Sequence, residues 1–180
     1  MNPYKRVQYN LNVPEDSSSN VPGMKYSKFL ITINPNLFFE SRNDPGFIEL
    51  ANKLGKIGHD MLKEKNILNL LVFGNDRSRA HNLSMIQEIH PERYSRVELG
   101  IDKHRLHVHI VFSISHYTIL QINQASLRKA VSDELNMPPT LWKDPKTGKE
   151  KLKYPFHVDI KVDWKRSIDD YVRKYDKYNT

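Results

Sequence analysis

The chain has 180 residues, with 28 Lys and Arg against 21 Asp and Glu, eight His, ten Pro and no Cys. That length fits one compact domain of roughly 150 residues plus a tail, and leaves no room for a second enzymatic module such as a fused helicase. Without Cys there is no disulfide framework, thiolate cluster or cysteine nucleophile, so a bound metal has to rest on His, Asp, Glu or backbone oxygen. The net charge of +7 and the 10% aromatic content suit a polyanionic partner. No stretch approaches 18 consecutive apolar residues and the opening MNPYKRVQYNLNVPEDSSSN lacks an apolar core and a small-residue cleavage site, so neither a membrane span nor a secretory leader is expected.

Residues 1–24 combine Pro3, Pro14 and Pro22 with a Ser17-Ser18-Ser19-Asn20 run and no periodicity, which reads as a tail or loosely docked lead-in to a domain over 25–180. From Lys28, Phe29-Leu30-Ile31-Thr32-Ile33 is a β-prone run stopped by Asn34-Pro35-Asn36, and is expected to be a central first strand. Apolar residues at helical spacing between Phe47 and Ile67, following Asp44-Pro45, predict one helix. Leu68 to Phe73 reads as another strand, ended by Gly74-Asn75-Asp76. Tyr94 to Leu99 and Leu106 to Ile114 alternate at period two around Asp102-Lys103 and predict an antiparallel pair. A second helix runs from about Ile122 to Leu135, closed by Met137-Pro138-Pro139. A Lys-rich stretch follows from Trp142 to Tyr154 with a turn at Asp144 to Gly148, then an alternating strand from Phe156 to Trp164 and a terminal helix from Ser167. The order predicts an α+β domain: one mainly antiparallel sheet, helices mainly on one face, and an open second face on which polar side chains can assemble a site.

Within Leu106 to Phe112, alternation sends the apolar side chains to one face and His107 with His109 to the other, about 7 Å apart at Cα and close enough to share a cation. A turn centred near Asp102-Lys103 brings Glu98 roughly opposite His107 on that same face, because Val97 and Leu99 take the apolar one. Two imidazoles and a carboxylate leave positions open on a divalent ion such as Mn²⁺ or Mg²⁺, with tetrahedral Zn²⁺ as an alternative; His104 competes as a third ligand from the turn. The competing reading is a pair of surface histidines and a solvated carboxylate. On the terminal helix, Tyr171, Lys174 and Tyr175 fall along one face with Tyr178 a turn further; a phenol there can attack phosphorus while Lys174 stabilises charge on the phosphate. Without that context the same residues describe a basic amphipathic end packed on the sheet.

These pieces resemble the HUH endonucleases, metal-dependent single-strand nickases that include rolling-circle replication initiators. The family's His-hydrophobic-His motif is matched by His107-Val108-His109, its upstream acidic ligand by Glu98 and its Tyr-x-x-Lys motif by Tyr171-Val172-Arg173-Lys174; its first motif resembles Phe29 to Pro35, with Asn34 at the turn. The resemblance runs from Lys25 to Thr180. It implies a ferredoxin-like or RRM-like domain with a sheet of about five strands. It further implies a metal ion on Glu98, His107 and His109, and attack by Tyr171 on single-stranded DNA at an origin or element-end hairpin. The products are a free 3′-OH and a 5′-phosphotyrosine. The spacing of Tyr171 and Tyr175 also resembles two-tyrosine initiators and transposases. A transposase or relaxase shares the chemistry, and a non-catalytic single-stranded nucleic-acid-binding module shares the charge and the fold. The chain has no Gly-x-x-x-x-Gly-Lys-[Ser/Thr] sequence, so unwinding would fall to a separate helicase. An intracellular setting, wherever the replicon resides, is implied.

Candidate phosphate contacts are Arg77, Arg79 and the lysines Lys143, Lys146 and Lys149, for which solvated loop charge is the plainer explanation. Trp142 and Trp164 can stack on bases, although Trp164 falls in phase with the apolar face of its strand.

Overall fold

The computed structural model describes residues 24–73, 85–100, 105–117 and 120–162. Residues 1–23 of the predicted 1–24 tail, the link over 101–104 with His104, the Arg77 to Arg79 stretch, Trp164 and the whole Tyr171-bearing segment lie outside the described residues.

The described chain runs β1 (Lys25–Asn34), α1 (Pro45–Met61), α2 (Glu64–Leu70), β2 (Leu71–Phe73), β3 (Ile86–Ile89), β4 (Tyr94–Leu99), β5 (Leu106–His116), β6 (Leu120–Ile122), α3 (Gln124–Leu135), β7 (Thr140–Lys143), β8 (Glu150–Lys153) and β9 (His157–Val162). The main sheet has five strands in the order β3-β5-β1-β9, with β4 also on β5. All its pairings are antiparallel. Because β1 occupies one side of β5, β4 and β3 share the other, β4 opposite Leu106 to Val111 and β3 opposite Ile114 to His116. Two small pairs, β2-β6 and β7-β8, stand apart from it. The architecture is α+β with three described helices and is consistent with a ferredoxin-like fold. Among the described residues, no helix is long and apolar enough to cross a membrane.

Period-two alternation divides the sheet into two chemically different faces. Phe29, Ile31 and Ile33 of β1 and Leu106, Val108, Ile110, Phe112 and Ile114 of β5 point into the main core, where Phe29 stacks on Phe112 at 5.1 Å between ring centroids. Helix α1 closes that face with Leu50, Leu54, Ile57 and Met61, and α3 adds Leu127, Val131 and Leu135. Asp44 starts α1 by accepting the Gly46 N–H, with Pro45 in the first turn where its missing N–H costs nothing. Near its end α1 presses on the β4-β5 pair at Gly58, where an added Cβ would stand 2.6 Å from the Ser95 side chain and 3.2 Å from Val108 Cγ2. A side chain there would lift the helix from the strands that carry the histidines and Glu98.

Several sequence expectations change. The single helix predicted between Phe47 and Ile67 is two, because Lys63 takes an extended conformation (ψ 134°) and α2 starts afresh at Glu64. Leu68 to Leu70 consequently belong to α2, and only Leu71–Phe73 is strand. The second helix ends at Leu135 as predicted, capped by Asn136 in the left-handed conformation (φ 51°), but it starts at Gln124 after the Asn123 cap, because Ile122 belongs to β6. The second face is also less open than predicted: Leu30, Val111, Ser113, Glu98 and His109 are all buried, and Tyr94 packs against the Leu30–Val111 pair.

Candidate metal centre

On the second face, β4 and β5 pair with Glu98 directly opposite His107 and Arg96 opposite His109, while β1 sets Thr32 beside His109 and β9 sets Asp159 beside Thr32. The site is thus a product of three adjacent registers, each locked because a one-residue slip would turn the apolar set out of the core.

Glu98 Oε2 lies 3.1 Å from His109 Nε2 and 3.4 Å from His107 Nε2, and Oε1 lies 3.8 Å from Arg96 Nε. The two imidazoles are nearly perpendicular, with ring centroids 4.7 Å apart and an interplanar angle of 78°. The ligand atoms of Glu98, His107 and His109 all fall within 4.8 Å of one another, so the group could hold a metal ion. Geometry favours that use. Two donors about 2.1 Å from one ion at angles of about 90–109° stand about 3.0–3.4 Å apart, and the carboxylate–imidazole separations of 3.1 and 3.4 Å meet that condition. Both carboxylate oxygens of Glu98 are buried, and the close imidazole contacts face them, so cationic charge at this point, on the rings or on a bound ion, is what offsets the burial of the carboxylate.

Electrostatics point the same way. Burial pushes the Glu98 carboxyl up, but the facing imidazoles of His107 and His109 outweigh it and hold the group down at about 2. The anionic form, the one that ligates metal, is therefore held ready. His109 is oriented from behind: its Nδ1 lies 2.9 Å from Thr32 Oγ1, so when Nδ1 carries the proton the ring donates to the hydroxyl and Nε2 would present its lone pair to an ion held between it and Glu98. Thr32→Val, which keeps shape and removes the hydroxyl, is expected to weaken divalent-metal affinity by roughly 10–100-fold in a calorimetric titration; unchanged affinity would show that Thr32 does not set the ring.

His107 keeps 13% of its side chain exposed and Glu98 none, so access is from the His107 side. There Arg105 packs its guanidinium over the Phe38 ring at 4.3 Å, placing a cation two residues before His107. Thr32 appeared only as part of the first-motif strand, and neither it nor Arg105 was given a role at the site by the sequence reading. Arg105 was within reach of it, since it shares the alternation of His107 and His109; Thr32 was not, because it lies 77 positions from His109.

Asn34 pairs with His157 of β9 and uses its side chain to accept the Asn36 N–H, shaping the turn after β1. Lys143, Lys146 and Lys149 lie on and around the exposed β7-β8 hairpin, outside the five-stranded sheet. Tyr171, Lys174, Tyr175, Arg77 and Arg79 lie outside the described residues. Compared with protein-family models, curated proteins and solved structures, the chain matches none.

Proposed function

We propose that the protein is a metal-dependent, sequence-specific single-stranded DNA nicking and joining enzyme of the HUH type, initiating rolling-circle replication. The observation that carries this reading is the convergence of Glu98, His107 and His109 on one buried point with the carboxylate held anionic. The antiparallel sheet that presents them, the net charge of +7 and the Tyr171-x-x-Lys174 sequence agree with it.

Glu98, His107 and His109 would hold the ion, for which Mn²⁺ or Mg²⁺ is proposed; when bound, it supplies positive charge to an oxygen of the scissile phosphate. His107, at the exposed side, marks where the DNA strand approaches, and Arg105 adds a fixed cation there. Thr32 keeps His109 in one tautomer and one orientation. The Tyr171 hydroxyl oxygen forms the new bond to phosphorus as the bond to the 3′ oxygen breaks; the phenolic proton ends on that oxygen, leaving a 3′-OH and a 5′-phosphotyrosine. Lys174 stabilises charge on the phosphate during the exchange. The reverse step, attack by a 3′-OH on the phosphotyrosine, rejoins strands.

Incubation of the full chain with a randomised single-stranded DNA pool and Mn²⁺ is expected to yield a denaturation-resistant, slower-migrating protein band that EDTA abolishes. A pool that is bound without any such band would instead favour a non-catalytic nucleic-acid-binding module.

A further inference from the structure

Beyond the metal centre, the described residues form a cleft of about 490 Å³ between the β7-β8 hairpin, α3 and the lead-in to β9. Its walls include Arg128, Trp142, Lys151, Lys153, Tyr154 and Phe156: three cations, three aromatics and no acid.

The hairpin is built so that this combination faces outward. Cross-strand pairing sets Trp142 opposite Lys151 and Thr140 opposite Lys153 on one face, and Leu141 opposite Leu152 and Lys143 opposite Glu150 on the other. The only strand acid therefore opposes Lys143 on the face away from Trp142. The acid of the turn is also engaged: Asp144 Oδ1 accepts the Lys146 N–H at 2.8 Å, a contact that holds its carboxyl below the usual range. The turn is closed by the Gly148 N–H donating to the Asp144 carbonyl at 2.8 Å, with Gly148 at φ 68°, a conformation that favours glycine. Trp142 stays 44% exposed although Tyr154 and Phe156 pack against each other at 5.3 Å beside it. Arg128 is tethered on the α3 wall by donating to Gln124 Oε1 at 3.0 Å.

We propose that this cleft is a second binding site for single-stranded DNA, in which one base stacks on the exposed indole of Trp142 while flanking phosphates sit on Lys151, Lys153 and Arg128. An exposed planar ring bordered by cations, in a cleft whose described lining holds no acid, matches a nucleotide on both counts, plane and charge; an acidic peptide would use the cations and leave the ring without a planar partner. The proposal rests on the single-stranded DNA reading above and adds a contact outside the metal-bearing sheet.

The test is fluorescence anisotropy of a fluorescein-labelled dT20 with the full chain in EDTA, which removes metal and adduct chemistry from the readout. Trp142→Ala is expected to raise Kd by about tenfold, within the range of one base–aromatic stack. The double variant Lys151→Ala, Lys153→Ala is expected to flatten the slope of log affinity against log salt by about 1.4, or about 0.7 for each lost phosphate contact. Lys53→Ala, which removes a cation paired with Glu49 on α1, serves as the charge control. All the altered cleft positions are exposed hairpin residues, so unchanged melting temperatures are expected to accompany the loss. The proposal is overturned if wild type fails to bind dT20, if Trp142→Ala binds with wild-type affinity, or if the double lysine variant keeps the wild-type salt slope. It is equally overturned if polyglutamate binds with the same dependence on Trp142, which would make the occupant an acidic protein. An adduct formed alongside Trp142-independent dT20 binding sinks the cleft alone, whereas Trp142-dependent binding without any adduct sinks the nuclease reading alone.

Discussion

Tyr171→Phe is expected to abolish the covalent DNA adduct, lowering its rate by at least about 10³-fold, while leaving the response of the protein to Mn²⁺ intact. Phenylalanine keeps the ring and loses the oxygen proposed to bond to phosphorus, and the candidate metal ligands Glu98, His107 and His109 stand on β4 and β5. His109→Ala separates the two functions from the other side. It removes an imidazole that faces Glu98 at 3.1 Å, and with it the hydrogen bond to Thr32, so both the metal response and the adduct should disappear. The metal response is measurable without any DNA. At a Mn²⁺ concentration about a hundred times Kd, binding to the folded state alone contributes about 2.7 kcal/mol, which for a chain of this size is a rise in Tm of about 5–10 °C. Wild type and Tyr171→Phe should show that rise and His109→Ala should not, whatever the baseline Tm of each. Tyr175→Phe completes the set. Loss of the adduct with that variant and retention with Tyr171→Phe would transfer the nucleophile to Tyr175; retention in both would remove tyrosine attack from the mechanism.

The same residues show how far sequence carries. Alternation in Tyr94 to Leu99 and Leu106 to Ile114 was enough to predict the pairing that sets Glu98 opposite His107, because a half-buried strand advertises its register in its apolar period. Asp44-Pro45 likewise announced the start of α1. The break after Met61 was invisible, since Ile67 keeps the helical spacing and neither Gly nor Pro stands at Lys63, where the backbone turns extended. The strands β7 and β8 were invisible for the opposite reason. Every residue in them is exposed, so no burial period exists to be read, and only their turn was legible. The short pair β2-β6 joins three-residue segments from distant parts of the chain, and Thr32 meets His109 across strands far apart in sequence; both depend on tertiary pairing that no local pattern encodes. The candidate metal-binding group was legible because its residues come from neighbouring strands, and the hydroxyl beside His109 was not because it comes from β1.

Glu98→Gln should change the protein twice, once with metal and once without. With Mn²⁺ at neutral pH, the amide replaces the anionic donor that faces the two imidazoles among the described residues, and a hard cation loses that charge-bearing ligand; affinity should fall by more than the roughly 10–100-fold typical of an outer-shell partner. Without metal, the effect appears in acid. The Glu98 carboxyl titrates at about 2 in the folded chain against an ordinary value of 4.5, so between those pH values the unfolded chain takes up a proton that the folded one refuses. Stability from this group is therefore complete above about pH 4.5 and is lost as pH falls through the window toward 2. Glutamine has no such titration. Urea unfolding in EDTA at intervals of acid pH should show wild type losing stability relative to Glu98→Gln as pH drops below about 4.5. Parallel acid limbs would mean that the imidazoles do not hold the carboxylate ionised. The metal-binding geometry would then have to stand on distances alone, and the Mn²⁺ titration of the same variant would decide whether Glu98 is a ligand.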